Sequence, residues 1–356
     1  MSDNSAKIVI TDEVLRQYKD TCIQWDPVLR QLPIRAAADV LKFFVPVKKL
    51  RGKRRFGEIS GNSQFAPFKR DRVSDASVNI DFRDIETFHG NVIETFAPVD
   101  YLDIPLGYDD PVITEAIKKA GTTFLVLAQL VKARGQHIAQ CAFTGKRNAD
   151  GDTTLDLCDG LLTIAAQEIE AGKISVEKGN LYKTPEAVTK INAVDIAKDI
   201  VFTSNQFLRR ENSIMLCPTS FADAYNESYL LSHSGLVYNK QYDQPYVEGS
   251  GHKLTIIPVP ELDGTDKAIV TQPANLLYGT YNEADQTSVD IMRAGHYDLS
   301  MASDMWLGFQ FRTIDPRRLR IVDLSAPASA PIVPDNGSDS ETGSEDNHEV
   351  APEVKS

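Results

Sequence analysis

The sequence predicts an α+β fold, and three observations carry that expectation. Helical periodicity dominates up to about Leu231, strand-like segments crowd into the last third, and the two never settle into the βαβα alternation of a parallel sheet. One segment, Asp109 to Gly135, has the marks of a single long helix. The 356 residues are 42% hydrophobic and 25% charged, ordinary globular values that suffice for one large core or two medium ones.

In chain order, Thr11-Asp12-Glu13 opens an amphipathic pattern that runs to Ile23, and Val28 to Phe44 makes a second one interrupted by Pro33. Gly52, Gly57, Gly61, Asn62 and Pro67 then favour turns. Val78, Ile80 and Phe82 alternate with Asn79, Asp81 and Arg83, a strand pattern with Asn79, Asp81 and Arg83 as the solvated face. Together Val47 to Phe96 reads as a long two-stranded excursion. A hairpin of that kind has no core of its own and is marginal in water unless it lies on a neighbour.

The long helix has its ends written into it. Asp109 or Asp110 accepts from the first free N–H groups, Pro111 suits the first turn, and Gly135 tolerates the left-handed cap. Ile113, Ala116, Ile117, Ala120, Phe124, Leu127 and Val131 recur at three- and four-residue steps, so one face is expected to be buried. Pro111 to Arg134 spans about 36 Å at 1.5 Å per residue, and Gly121 weakens it by about 1 kcal/mol relative to alanine. A shorter helix is expected from Leu155 to Ile169 despite Gly160, and a third from Thr184 to about Arg209. A short strand, Ser213 to Cys217, and a helix, Thr219 to Leu231, follow. Strands are then expected over Leu254–Val259, Lys267–Thr271, Ala274–Tyr281, Ser288–Met292, Tyr297–Met301, Met305–Thr313 and Leu319–Asp323.

Charge is unevenly spread. Lys48, Lys49, Arg51, Lys53, Arg54, Arg55, Lys69, Arg70 and Arg72 face only Glu58 and Asp71, whereas residues 326–356 hold seven acids against Lys355. With a total of −12, the remainder of the chain is acidic too. A basic arm is attached to an acidic body. Residues 326–356, rich in Pro, Ala, Ser, Gly and acids, are expected to form a disordered acidic tail. No segment is apolar over a bilayer's length and the start lacks a signal-peptide pattern, so a cytoplasmic protein without membrane partners is expected.

The search for chemistry is mostly negative. Phe143-Thr144-Gly145-Lys146 has the Gly-Lys of a phosphate loop but neither the earlier glycine nor a following Ser or Thr, and Gly249-Ser250-Gly251 precedes a strand. The six histidines are scattered, and Cys22, Cys141, Cys158 and Cys217 lie far apart in sequence without ligand spacing, which reads as reduced, buried thiols. No catalytic, cofactor or metal site is expected. An aromatic and polar loop, Tyr238 to Tyr246, is a contact surface or an ordinary exposed loop.

The order of elements resembles that of the major capsid proteins of tailed bacteriophages, which have the Hong Kong ninety-seven fold. It consists of an N-terminal arm, a basic loop returning through Val78 to Phe96, the long helix, a middle domain and a closing strand set. The closing set reads Asn275-Leu276-Leu277-Tyr278-Gly279-Thr280, Val289-Asp290-Ile291 and Phe309-Gln310-Phe311-Arg312. The resemblance implies an arm over 1–46, an extended loop over 47–100, a peripheral domain over 101–182 with its spine helix at 111–134, an axial domain over 183–285 and return strands over 286–325. It implies a structural protein, not an enzyme, that self-assembles through pentamers and hexamers into an icosahedral virion shell around double-stranded DNA, built in the host cytoplasm. Portal and scaffolding or decoration proteins would be its partners, DNA would be enclosed without sequence-specific binding, and the nine basic residues would be inter-subunit contacts. No scaffolding segment precedes the arm, so scaffold is expected to be separate or absent. Two alternatives stand beside it: an encapsulin-type compartment, which shares the fold, and a nucleic-acid-binding protein using 48–72, since Lys and Arg bind phosphate.

Overall fold

The computed structural model describes residues 12–61, 67–70, 78–97, 122–232, 246–281 and 290–325. The expected helix start at Asp109 to Pro111, the loop around Tyr238 and the acidic tail lie outside these residues.

Helix α1 (Asp12–Ala36) runs unbroken through Pro27 and Pro33, so the two expected amphipathic segments are one element, followed after Ala37 by the short α2 (Ala38–Leu41). An interior proline costs a helix roughly 3 kcal/mol. Tertiary burial offsets it, because Tyr18, Cys22 and Leu29 share a core with Leu127, Ala128 and Val131 of the spine and with Phe96, Leu299 and Met301 of the adjoining sheet.

The spine helix α3 is described over Thr122–Thr144 and continues well past Gly135, which corrects the expected end at Arg134. Gly135 is not a cap. It lies buried where α3 crosses α1, and a Cβ placed on it would fall 2.4 Å from the Pro33 carbonyl oxygen and 2.5 Å from the Ala36 Cβ. The glycine supplies close approach between two backbones. The apolar stripe continues through Ile138, Ala139 and Ala142 to Phe143, all buried. Lys132 and Arg134 consequently sit in mid-helix rather than at its negative end.

Two sheets complete the fold. The first orders its strands β1-β8-β10-β3-β2, with β9 also on β10: β1 (Val45–Val47), β2 (Gly52–Gly61), β3 (Val78–Phe96), β8 (Leu276–Gly279), β9 (Asp290–Arg293) and β10 (Leu299–Phe311). The two strands expected over Tyr297–Met301 and Met305–Thr313 are one, since β10 pairs continuously with β3 and then with β8. The nineteen-residue β3 is shared along its length: Val78–Thr87 pairs with β2, and Phe88–Phe96 pairs with β10.

The second sheet has the order β4-β11-β7-β5-β6, from β4 (Leu181–Lys183), β5 (Ser213–Cys217), β6 (Leu254–Pro258), β7 (Lys267–Thr271) and β11 (Leu319–Asp323). The segment expected to return as a unit over 286–325 is thus divided, with β9 and β10 in the first sheet and β11 in the second. Alternation explains why β5 is buried at every position. Ile214 and Leu216 enter a core shared with α3 and with α4 (Leu161–Glu170), while Met215 and Cys217 enter another with α5 (Ala193–Phe202) and α7 (Thr219–Ser232). Ile269 against Ala268 and Val270 on β7 divides in the same way. The sheet is a middle layer covered on both faces, as near-continuous apolar strands require.

Two expected helices are shorter than their periodicity suggested. Leu155–Ile169 resolves into a 3-10 turn at Thr154–Asp156 and α4, which starts only after Gly160. Thr184–Arg209 resolves into a loop, α5, and α6 (Gln206–Arg210), with a break at Asn205 whose side-chain oxygen accepts from the Phe207 N–H at 3.0 Å. Asn competes for the backbone in this way and restarts the helix as an N-cap.

Candidate inter-subunit surface

The basic stretch begins in the connection from β1 to β2. Leu50 anchors it, packed with Val47, Ile85 and Leu277, and its N–H donates to the Thr280 carbonyl at 3.0 Å. Thr87 Oγ1 donates to the Leu50 carbonyl at 2.9 Å and accepts from the Gly52 N–H at 3.2 Å, so the hairpin is pinned at its root. Lys48 and Lys49 are exposed beside it, Lys49 with a left-handed φ of 58°.

Further out, the antiparallel register sets bases opposite acids. Lys53 faces Glu86 and Arg55 faces Asp84. Lys53 Nζ lies 3.0 Å from Glu86 Oε2, and Arg55 holds both Asp84 oxygens, at 2.8 and 3.1 Å. The Arg55 hydrogen bond keeps the Asp84 carboxyl below the usual carboxylate range and raises the guanidinium in turn. Arg51 stacks on Tyr281, its guanidinium carbon 3.6 Å from the ring centroid, and lies 5.8 Å from that of Trp306. Arg51, Lys53 and Arg55 are therefore engaged within the chain. Arg54, Lys69 and Arg70 are exposed, and Arg72 lies outside the described residues.

The apolar face of β3 is the reverse of the expected one. Ile80 and Phe82 are 48% and 61% exposed, and Ile59 opposite Ile80 is 72% exposed. Arg83 on the other face points inward: its side chain is 11% exposed, pairs with Glu168 at 3.0 Å and donates to the Phe311 carbonyl and Gln310 Oε1. The period of two was legible, but Ile85 and Thr87, on the side of Arg83, decide which face meets the body. Phe68, between the two strands, is 93% exposed. No expected contact residue belongs to this apolar set; the sequence signal for it was Ile59, Phe68, Ile80 and Phe82 in a hairpin without a core.

A cavity of about 620 Å³ lies between α3, the β3–β10 ladder and the segment 147–157. Two contacts cross it: His89 Nε2 is 3.0 Å from Asp304 Oδ2, and Arg134 holds Glu94 at 2.8 Å and also reaches the Ser303 hydroxyl. These pairs tie α3 to β3 and β3 to β10. Among the described residues no group of three metal-binding side chains occurs, and no helix is long and apolar enough to cross a membrane. Gly145 of the Gly-Lys dipeptide is buried by packing against Cys141 and Cys158.

No protein-family profile matches the chain, and no characterised protein matches it in sequence. Solved structures do match. A chain of the satellite phage P4 procapsid including size determination (Sid) protein superposes with a TM-score of 0.52 at 11% identity, over 90% of this chain and 93% of that one. Chains of the capsid of a native GTA particle (TM-score 0.48, 12% identity, 82% of this chain and 91% of that one) and of the mycobacterium phage Adephagia (0.46, 10%, 82% and 91%) are also similar. At such identity the first match is one of fold, and it defines the chain as an α+β protein built like a viral shell subunit. More particularly, the fold is that of tailed-phage major capsid proteins.

Proposed function

We propose that the chain is a major capsid protein whose copies assemble, through pentamers and hexamers, into an icosahedral shell around a double-stranded DNA genome. Its role is structural, and its location is the virion, after assembly in the host cytoplasm with portal and scaffolding or decoration proteins. In this reading 101–182 with the spine and the first-sheet strands β8, β9 and β10 make the peripheral part of each subunit, the rest of 183–285 with β11 the axial part, and 47–100 lies on an adjacent copy.

The observation that carries the proposal is the hairpin face bearing Ile59, Ile80 and Phe82, which the chain's own body leaves exposed while it buries Arg83 on the opposite face. A monomer gains nothing from that arrangement. A neighbouring copy laid on the face would bury it, and the same interface repeated around closed symmetry turns individually weak contacts into a stable particle. The reading of 48–72 as a nucleic-acid site is disfavoured because Arg51, Lys53 and Arg55 are already engaged in the chain.

Those engagements determine which variant tests the basic residues. Reversing Lys53 or Arg55 would set like charges opposite each other and damage the hairpin itself. Arg54, Lys69 and Arg70 are the cleaner set. The triple variant Arg54→Glu, Lys69→Glu, Arg70→Glu is expected to fold normally and to lose particle yield, each exposed pair being worth about 0–1 kcal/mol but repeated at every interface. Particle yield and DNA affinity are measured side by side; normal yield with collapsed DNA affinity supports nucleic-acid binding instead.

A further inference from the structure

Cys141, in the last turn of α3, and Cys158, just before α4, are both buried, and their Sγ atoms lie 3.7 Å apart. The two segments meet backbone to backbone. The Gly160 N–H donates to the Gly145 carbonyl at 2.8 Å. A Cβ on Gly145 would fall 2.5 Å from the Cys158 carbonyl oxygen and 2.7 Å from Cys141 Sγ, and one on Gly160 would fall 2.6 Å from the Cys141 carbonyl oxygen. Two glycines thus bring together two cysteines that are seventeen residues apart in the chain.

We propose that Cys141 and Cys158 form a redox-closed pair, a modification site at which a small peroxide oxidant converts the dithiol into a disulfide joining the end of the spine to the base of α4. The bond requires the sulfurs to approach from 3.7 Å to about 2.05 Å, a movement of side chains already in contact. Cys141 gives up its proton first, because the Cys158 thiol can donate to it, although burial opposes the charge; Cys158 is pushed up by the same contact and by burial. The Cys141 thiolate attacks a peroxide oxygen, yielding a sulfenic acid and releasing the other oxygen as water. The Cys158 sulfur then displaces the sulfenic hydroxyl as water, forming the S–S bond. Two thiols and one hydrogen peroxide give one disulfide and two waters. Among the described residues neither sulfur opens onto a cavity, but the wall of the 620 Å³ one includes Ile138, one turn from Cys141, and Leu157, next to Cys158, so the oxidant would enter from that side.

In a reducing cytoplasm the pair stays open, and in an oxidising exterior it closes. Its use as a lock set after assembly rests on the capsid reading; formation of the bond does not, so a cross-link in a protein that makes no particles would overturn that reading alone.

The test uses the full-length protein, purified reduced and treated with hydrogen peroxide under native conditions, then alkylated in denaturant and digested without reductant. The expected product is a cross-linked peptide pair containing Cys141 and Cys158, two hydrogens lighter than the reduced pair, while Cys22 and Cys217 are recovered alkylated. Cys217 is the internal control, since burial pushes its thiol up to about 12. Dithiothreitol should reverse the cross-link and with it a rise in melting temperature of several degrees. In Cys158→Ser the rise should vanish and a sulfenic acid should become trappable at Cys141. Recovery of both cysteines as alkylated thiols, under peroxide that fully oxidises a model dithiol, would overturn the proposal. So would a Cys141–Cys158 bond that forms only once denaturant is present.

Discussion

At the scale of single residues, Phe82 and Arg83 carry opposite lessons. Neighbours in sequence, they invert the usual partition, the ring lying outside and the guanidinium inside with Glu168. A buried arginine persists only because its donors are satisfied, which Glu168, the Phe311 carbonyl and Gln310 together do. An exposed phenylalanine needs no such explanation when it stands singly, but Phe82 stands with Ile80 and Ile59. Phe82→Asp is therefore expected to shift unfolding stability by no more than about 0.5 kcal/mol while abolishing particle formation. Urea unfolding and sedimentation of the same variant check both halves; normal particles from it would mean that the face is not an interface.

At the scale of elements, the crossing of α1 and α3 tests whether Gly135 is there for packing. In an exposed helix Gly→Ala stabilises by about 1 kcal/mol. Here the added methyl meets the Pro33 carbonyl and Ala36, and overpacking of this kind costs roughly 1–3 kcal/mol. Gly135→Ala should therefore lower the melting temperature, and a rise would show that the crossing of α1 and α3 has room for the methyl and that close approach is not what the glycine supplies. The strand ladders make a second prediction, in acid. Asp323 faces Lys267 across β11 and β7 at 2.7 Å. Burial pushes its carboxyl up, but the hydrogen bonds from Lys267 and Ser325 outweigh this and hold it below the ordinary value, as Arg55 does for Asp84. A depressed carboxyl contributes stability that is complete above its unfolded value of about 3.9 and is lost as pH falls through the folded one. Melting temperature should accordingly fall below about pH 4 through these pairs, and the fall should be shallower in Asp323→Asn. An acid limb unchanged by that substitution would remove Asp323 from the account.

Much of this element list was legible in the sequence for physical reasons that also mark its limits. Ser213–Cys217, Lys267–Thr271 and Leu319–Asp323 were read to the residue because apolar runs bounded by polar turns have few alternatives. The passage of α1 through two prolines, the continuation of α3 past Gly135 and the fusion of two short strands into β10 were not legible. Each depends on a partner distant in sequence that overrides a local signal. The candidate surface was half legible: the basic residues stood out by charge, yet register alone shows that Lys53 and Arg55 are answered by Glu86 and Asp84. The contact of Cys141 with Cys158 has no sequence signature at all.

At the scale of the whole molecule, two sheets, a spine and a long hairpin are joined so that, among the described residues, the apolar side chains gather in shared cores while Ile59, Ile80 and Phe82 on the hairpin stay exposed together. That hairpin face, in a fold shared with the satellite phage P4 procapsid chain, is the one that the proposed assembly would cover. The most direct test is electron microscopy of the purified full-length protein over a range of protein and salt concentrations. The account predicts closed shells of uniform diameter with five- and six-fold clusters on their surface. Monomers or dimers alone, at every protein and salt concentration, would contradict it.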